Sequence, residues 1–344
     1  MKAMMLDRIA HMERNDRPLR PADLDTPSPD EGELLIRNSV CGVCHTELDE
    51  IEGRTPPTVW PVVPGHQVVG RVEGFGNKAS HEGFRTGDRV GVAWIHSACG
   101  ECEYCKSGRE NLCKRFVATG RDVNGGYAEY MTVPAGYAVR IPDELSDEEA
   151  APLLCAGAIG FRSLRLTGLQ NGQHLGLTGF GASGHLVLQL ARYLYPDSRI
   201  FVFARNEEAR RFALELGAEW AGATEDRAPQ LLHAMIDTTP AWKPVVEAMA
   251  NLKPGGRLVV NAIRKEDNDR RYLLNLDYTE HLWMEKEIKS VANVTREDVQ
   301  EILRMAASSG IRPEVQIYPM EEANRALEEL KSGGGRGAKV LKIG

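Results

Sequence analysis

The chain has 344 residues, 42% hydrophobic and 26% charged, which suits two domains, or three at most, and excludes a peptide hormone or mini-scaffold. Its 42 basic and 49 acidic residues leave a formal charge of −7, a net repulsion toward polyanions that argues against nucleic acid as a partner. An acid at residue 7 comes too early for a secretory leader and no apolar stretch approaches ~20 residues, so a soluble, cytoplasmic protein with no membrane partner is expected.

The first part of the chain reads as β-rich. Apolar or alternating runs at 33–41 (ELLIRNSVC), 62–75 (VVPGHQVVGRVEGF) and 88–94 (DRVGVAW) are separated by Gly, Pro and Asp punctuation. Short, irregularly spaced strands of this kind predict a small distorted barrel or sandwich, and no strong helical period appears before about residue 146. From about residue 150 strands and helices alternate. The run 174–178 (HLGLT) precedes a helical face of Leu186, Val187, Leu190, Ala191 and Leu194, and 200–203 (IFVF) is the next strand. A helix over 207–216 stops at Gly217, and further strands are expected at 234–237, at 257–262 after a PGG turn, and at 288–292. Such alternation predicts a doubly wound parallel sheet. The tail from about 296 has a helix, the run RPEVQIYPM, a second helix (EEANRALEELK) and a glycine-rich turn, Gly333 to Gly335, before AKVLKI. These closing strands read as the first domain resumed.

Seven cysteines, an odd number, argue against a disulfide framework and for metal or catalytic thiols. Cys99, Cys102, Cys105 and Cys113 form C-x2-C-x2-C-x7-C. Four thiolates so spaced close a tetrahedral shell that suits a structural zinc and leaves no room for substrate. An iron–sulfur site and four unligated thiols are the alternatives; no cluster-type Cys-Pro follows. Cys44, His66 and Cys155 are dispersed, and each alone is an ordinary core or surface residue. Cys41 and Cys44 also admit a redox C-x-x-C reading, but they fall in the β-rich region rather than beside a thioredoxin-like βαβ unit.

The loop GFGASG carries Gly179, Gly181, Ala182 and Gly184 directly after a predicted strand and opens a predicted helix. In that context G-x-G-x-x-G cradles a dinucleotide pyrophosphate on backbone amides, a plain tight turn being the bland alternative. An NAD-type site places an acid at the end of the second strand, where this chain has Ala204 and then Arg205. Room for a 2′-phosphate and a guanidinium to pair with it favour NADP over NAD.

Together these features resemble the zinc-dependent medium-chain alcohol dehydrogenases over essentially the whole chain. The residues that carry the likeness are GVCHTE (42–47), GHQVVG (65–70), GDRV (87–90), the four-cysteine loop, NGGYAEY (124–130), PLLCAG (152–157), GFGASG and KPGGRLV (253–259). Within the family the sequence is similar to the bacterial propanol-preferring and cinnamyl-alcohol-type branch. The resemblance implies a discontinuous GroES-like catalytic domain, residues 1–152 and 294–344, with an inserted Rossmann domain at 153–293. It implies Cys44, His66 and Cys155 as catalytic zinc ligands, hence two zinc ions per chain, with one position left for water or substrate. The implied reaction passes a hydride between an alcohol carbon and the nicotinamide, zinc acting as Lewis acid on the oxygen. Thr46 matches the hydroxyl that takes the alcohol proton, His45 a position near the pyrophosphate, and Trp94 a pocket residue, with Trp60 a second aromatic there. A homodimer or homotetramer acting on a primary or aromatic alcohol, or the aldehyde, is implied.

Three positions depart from the family pattern. Gln67 replaces the glutamate that commonly follows the ligand histidine. Glu47, Asp49 and Glu52 occupy the stretch where a relay histidine usually lies, which leaves a carboxylate such as Asp49, or water, to finish the proton path. Asn261, Ala262 and Ile263 stand at a strand end that commonly contains glycine. Two rival functions remain: a zinc-independent NADPH-linked enone or quinone reductase on the same fold, and a catalytically silent nucleotide-binding protein.

Overall fold

The computed structural model describes every residue except 13–16, 78–82 and 334–335, so Gly334 and Gly335 of the glycine-rich turn lie outside the described residues. By internal contacts the chain forms two compact units, Met1–Ala158 with Asn293–Gly344, and Ile159–Ala292.

The first unit opens with β1 (Lys2–Leu6), antiparallel to β2 (Leu19–Asp23). Then come β3 (Glu33–Val43), α1 (His45–Ile51), β4 (Val68–Phe75), β5 (Arg89–Val92) and β6 (Ile95–Ser97). The cysteine loop carries α2 (Glu103–Lys106), and β7 (Val117–Ala118), β8 (Tyr130–Pro134), β9 (Ala138–Arg140) and α3 (Asp147–Pro152) follow. Along β3 the residues Leu34, Ile36 and Asn38 turn inward while their neighbours face out, the period-2 signature of a strand with one buried face. Leu34, Ile36, Val68, Val72, Val90, Val92, Met131 and Val133 share one core cluster, each such side chain stabilising the fold by about 1.5–3 kcal/mol.

α1 is a helix in the stretch where the sequence shows no strong helical period. It spans seven residues, too few for a helical period to show, and its start is set by a capping box in which Cys44 and Glu47 satisfy each other's backbone amides.

The second unit follows α4 (Ala158–Thr167) with β10 (Leu175–Thr178), α5 (Ala182–Leu194), β11 (Ile200–Phe203), α6 (Glu207–Glu215) and β12 (Trp220–Gly222). It is completed by β13 (Leu232–Asp237), α7 (Lys243–Ala250), β14 (Leu252–Val260) and β15 (Glu287–Ser290). All six strands are parallel, in the order β12-β11-β10-β13-β14-β15. This is the Rossmann order, with its direction of winding reversing between β10 and β13. β10 and β11 are buried at every position because helices cover both faces, which is why they read as unbroken apolar runs. The strand expected at 257–262 begins earlier and ends at Val260. Its PGG segment lies inside the strand, where the register to β13 shifts, so the glycines mark an irregular ladder rather than a turn.

The chain returns to the first unit through α8 (Arg296–Ser309), β16 (Val315–Pro319), α9 (Ala323–Lys331) and β17 (Ala338–Lys342). β17 pairs parallel with β16 and antiparallel with β3, in a sheet ordered β16-β17-β3-β4-β5-β9 with β8 also on β3.

Candidate metal centres and dinucleotide loop

Three elements of the first unit converge on one point. Cys44 caps the N-terminus of α1, His66 lies just before β4, and Cys155 sits in a π-helical turn, Leu153–Gly157, that follows α3. His66 Nε2 lies 3.5 Å from Cys44 Sγ and 3.3 Å from Cys155 Sγ, and all three donor atoms lie within 4.8 Å of one another. Zinc bonded at about 2.3 Å to sulfur and 2.0–2.1 Å to nitrogen puts neighbouring tetrahedral ligand atoms about 3.5–3.8 Å apart. The donor set fits that ion.

The other ring nitrogen of His66, Nδ1, lies 2.5 Å from Glu47 Oε1, with both side chains fully buried. Glu47 Oε2 accepts from the Cys44 amide at 2.8 Å, so this one acid fixes two of the three donors. Burial disfavours the imidazolium, but Glu47 and Cys44 outweigh it and raise the His66 pKa well above its ordinary value. Cys44 is likewise pushed up, by Cys155 first and then by burial. Both shifts express a pocket rich in electron-pair donors that calls for a cation. Sequence reading missed the role of Glu47; the only trace of it is the three-residue spacing of the capping box.

Around this centre, Thr46 donates its amide to Cys44 Sγ at 3.3 Å, and His45 is exposed on the same turn. Gln67 is buried against Gly42, where an added Cβ would lie 2.8 Å from its carboxamide, and its Nε2 finds no partner. Asp49 is buried and paired with Arg54, which also pairs with Glu52. Trp94 is half-buried, its ring 6.3 Å from that of His66 and 5.4 Å from Phe116. Its indole Nε1 donates to the buried Glu50 at 3.3 Å. Trp60 is exposed. Cys41 is fully buried in the core behind the site.

The second cluster, Cys99, Cys102, Cys105 and Cys113, likewise has its sulfurs within 4.8 Å of one another, Cys105 lying 3.8 Å from Cys99 and 3.6 Å from Cys102. The amides of Glu101 and Cys102, with the Arg115 guanidinium, hold the Cys99 thiol down to about 5. Burial and the neighbouring thiols push Cys105 up to about 12. One thiolate forms readily and the next is resisted, a conflict that a divalent cation at the centre removes.

In the second unit Gly179 has φ +80°, a left-handed conformation open to glycine, and an added Cβ there would meet Thr238 Oγ1 at 2.8 Å. A Cβ on Gly184 would lie 2.8 Å from the Gly179 carbonyl, whereas one on Gly181 would meet nothing. Gly181 is therefore not required by the protein's own packing; the free space and the uncapped start of α5, where Ala182 is the first residue, fit a phosphate. Ala204 is buried at the end of β11 and Arg205 is exposed. Arg210, which sequence reading did not single out, donates to the carbonyls of Ala204 and Arg205 at 2.9 and 3.1 Å.

The chain is 43% identical to the probable alcohol dehydrogenase AdhA of Mycobacterium tuberculosis (strain CDC 1551 / Oshkosh), over 95% of this chain and 93% of that protein. It belongs to the zinc-type medium-chain alcohol dehydrogenase family. An alcohol dehydrogenase of Geobacillus stearothermophilus is 35% identical, over 93% of this chain and 94% of the relative. Residues 30–143 match the alcohol dehydrogenase GroES-like domain, and residues 218–341 match the family described as zinc-binding dehydrogenase. A solved cinnamyl alcohol dehydrogenase of Sorghum bicolor superposes with a TM-score of 0.84 at 27% identity, covering 99% of this chain and 97% of the other. The protein is thus an oxidoreductase of the alcohol dehydrogenase type, a GroES-like β-rich unit combined with a Rossmann sheet. No helix among the described residues is long and apolar enough to cross a membrane.

Proposed function

We propose that the protein is a two-zinc, NADP-preferring alcohol dehydrogenase and aldehyde reductase for primary or aromatic substrates. The observation that carries this reading is the approach of the Cys44, His66 and Cys155 donor atoms to within 4.8 Å of one another, the three protein ligands that a catalytic zinc takes. When bound, zinc supplies a Lewis acid and the nicotinamide a hydride acceptor or donor. Glu47 holds the His66 ring so that Nε2 faces the two cysteine sulfurs with which it would hold the ion, and its hold on the Cys44 amide fixes the first sulfur. The Thr46 hydroxyl takes the alcohol proton, and the path ends on Asp49 or on water. Trp94 bounds the substrate, with Trp60 as a further aromatic contact. His45 serves the cofactor pyrophosphate. Gln67, neutral beside the ligand histidine, adds no charge to the site. Cys99, Cys102, Cys105 and Cys113 hold the second, structural ion.

The NADP preference rests on the absence of an acid at Ala204, the exposed Arg205, and Arg210 anchored beside them. Domain limits of 1–152 with 294–344, and 153–293, are proposed on the motif order. A homodimer or homotetramer is proposed on β15: it ends the parallel sheet with all four residues exposed, and a two-fold centred on Ile288 sets Glu287 opposite Lys289 of a second copy. A cytoplasmic location accords with seven cysteines that are all unpaired.

The test is metal analysis joined to an activity screen with NADPH and NADH against aliphatic and aromatic alcohols and aldehydes. Two zinc ions per chain and turnover favouring NADPH are expected. One zinc with enone reduction would replace this reading with a zinc-independent reductase, and full zinc without turnover would make the protein catalytically silent.

A further inference from the structure

At the carboxyl ends of β10 and β13, where the winding of the sheet reverses, an ion pair is buried. Asp237, the last residue of β13, is fully buried and stands in register with Thr178 of β10 and Val260 of β14. Its Oδ1 accepts from Thr178 Oγ1 at 2.6 Å, Thr239 Oγ1 at 2.8 Å and the Thr239 amide at 3.2 Å. Its Oδ2 pairs with Lys265, whose side chain is 8% exposed and whose Nζ also donates to the Thr239 carbonyl at 2.6 Å.

Stability alone does not account for such a pair, because an apolar pair of similar volume would serve as well without the cost of stripping two ions of water. What it does hold is a segment. Residues 261–266 cross from the end of β14, and the Asn261 amide donates to the Asp237 carbonyl at 2.7 Å. The Glu266 amide donates to the Pro240 carbonyl at 2.7 Å, and Asn261 Nδ2 reaches Ser183 Oγ, in the first turn of α5, at 3.3 Å. Thr238, one residue from Asp237, crowds Gly179 of the glycine loop. The ion pair thus binds together the three segments, 178–184, 237–240 and 261–266, that surround the crevice where a doubly wound sheet takes its ligand.

We propose that Lys265 and Asp237 form a positioning pair for the dinucleotide, locking residues 261–266 against the glycine loop before the cofactor arrives. The inference rests on the dinucleotide reading of that loop. It is tested by fluorescence titration of NADPH and NADH into the zinc-loaded full-length protein and into Lys265→Met, Lys265→Arg and the double variant Asp237→Asn/Lys265→Met. The double variant leaves no unpaired buried charge and guards against a chain that fails to fold. Lys265→Met and the double variant should raise the NADPH Kd by about tenfold. Lys265→Arg should return it to within about threefold of wild type, with zinc content and the alcohol KM unchanged in all. A double variant that folds and binds NADPH as tightly as wild type overturns the proposal, as does a loss of binding that Lys265→Arg fails to rescue. A wild-type protein that binds neither cofactor overturns the dinucleotide reading itself, and this pair's role with it.

Discussion

Glu47 Oε1 lies 2.5 Å from His66 Nδ1, and neither side chain touches solvent. A carboxylate on one ring nitrogen commits the other to a metal, so Glu47→Ala should weaken binding of the catalytic zinc by about 10–100-fold. Competition against a graded chelator, with metal content read by mass spectrometry, should show one zinc lost early and the cysteine-loop zinc retained. Unchanged affinity would remove Glu47 from the site.

Cys155→Ser and Cys102→Ser separate the two centres. The first should bring turnover to background while moving Tm by no more than about 2–4 °C, the shift that about 1 kcal/mol produces in a unit of this size.

The second should act on the fold. With one of four sulfurs gone the loop loses its ion, and Tm should fall by about 5 °C or more, read by calorimetry with and without added zinc. Unchanged melting would show that the loop holds no structural metal.

Ala204→Asp places a carboxylate at the end of β11, where it repels a 2′-phosphate and accepts from a 2′-hydroxyl. The ratio of kcat/KM for NADPH over NADH should fall by about tenfold or more. A constant ratio would show that selectivity does not reside at this strand end.

His185, buried in α5 with its ring 5.9 Å from that of Phe212, is held down to about 4 by desolvation, below the ordinary 6.5. Between those values the unfolded chain binds a proton that the folded chain refuses. Stability is therefore complete above about pH 6.5 and falls as pH drops toward 4, by up to about 3 kcal/mol. Urea melts from pH 4.5 to 7.5 should give His185→Leu a shallower pH dependence than wild type. Acid release of zinc affects both chains and cancels in the difference; parallel profiles would refute the assignment.

Local features were legible in the sequence and long-range ones were not. The four-cysteine loop sits within fifteen residues, so spacing alone pointed to the four sulfurs that the fold brings together, and the glycine loop stood between a strand and a helix that periodicity placed. Cys44, His66 and Cys155 come from distant stretches, and only the family likeness joined them. The hold of Glu47 on His66 and Cys44 escaped notice because it depends on a one-turn cap in a helix too short to leave a period. Asp237 and Lys265 are separated by 28 residues and meet only because β13 and β14 are neighbours in the sheet, a pairing that no local pattern encodes.

β17 lies between β16 and β3, although it is translated long after β3. On the ribosome the whole parallel sheet emerges before residues 338–342, so that unit is free to fold while the nascent chain is still growing. The mixed sheet keeps an open flank along β3, the strand that leads to Cys44, until those last residues clear the exit tunnel. The stretch of β3 that carries the chain to Cys44 therefore gains its second neighbour only once residues 338–342 have been made.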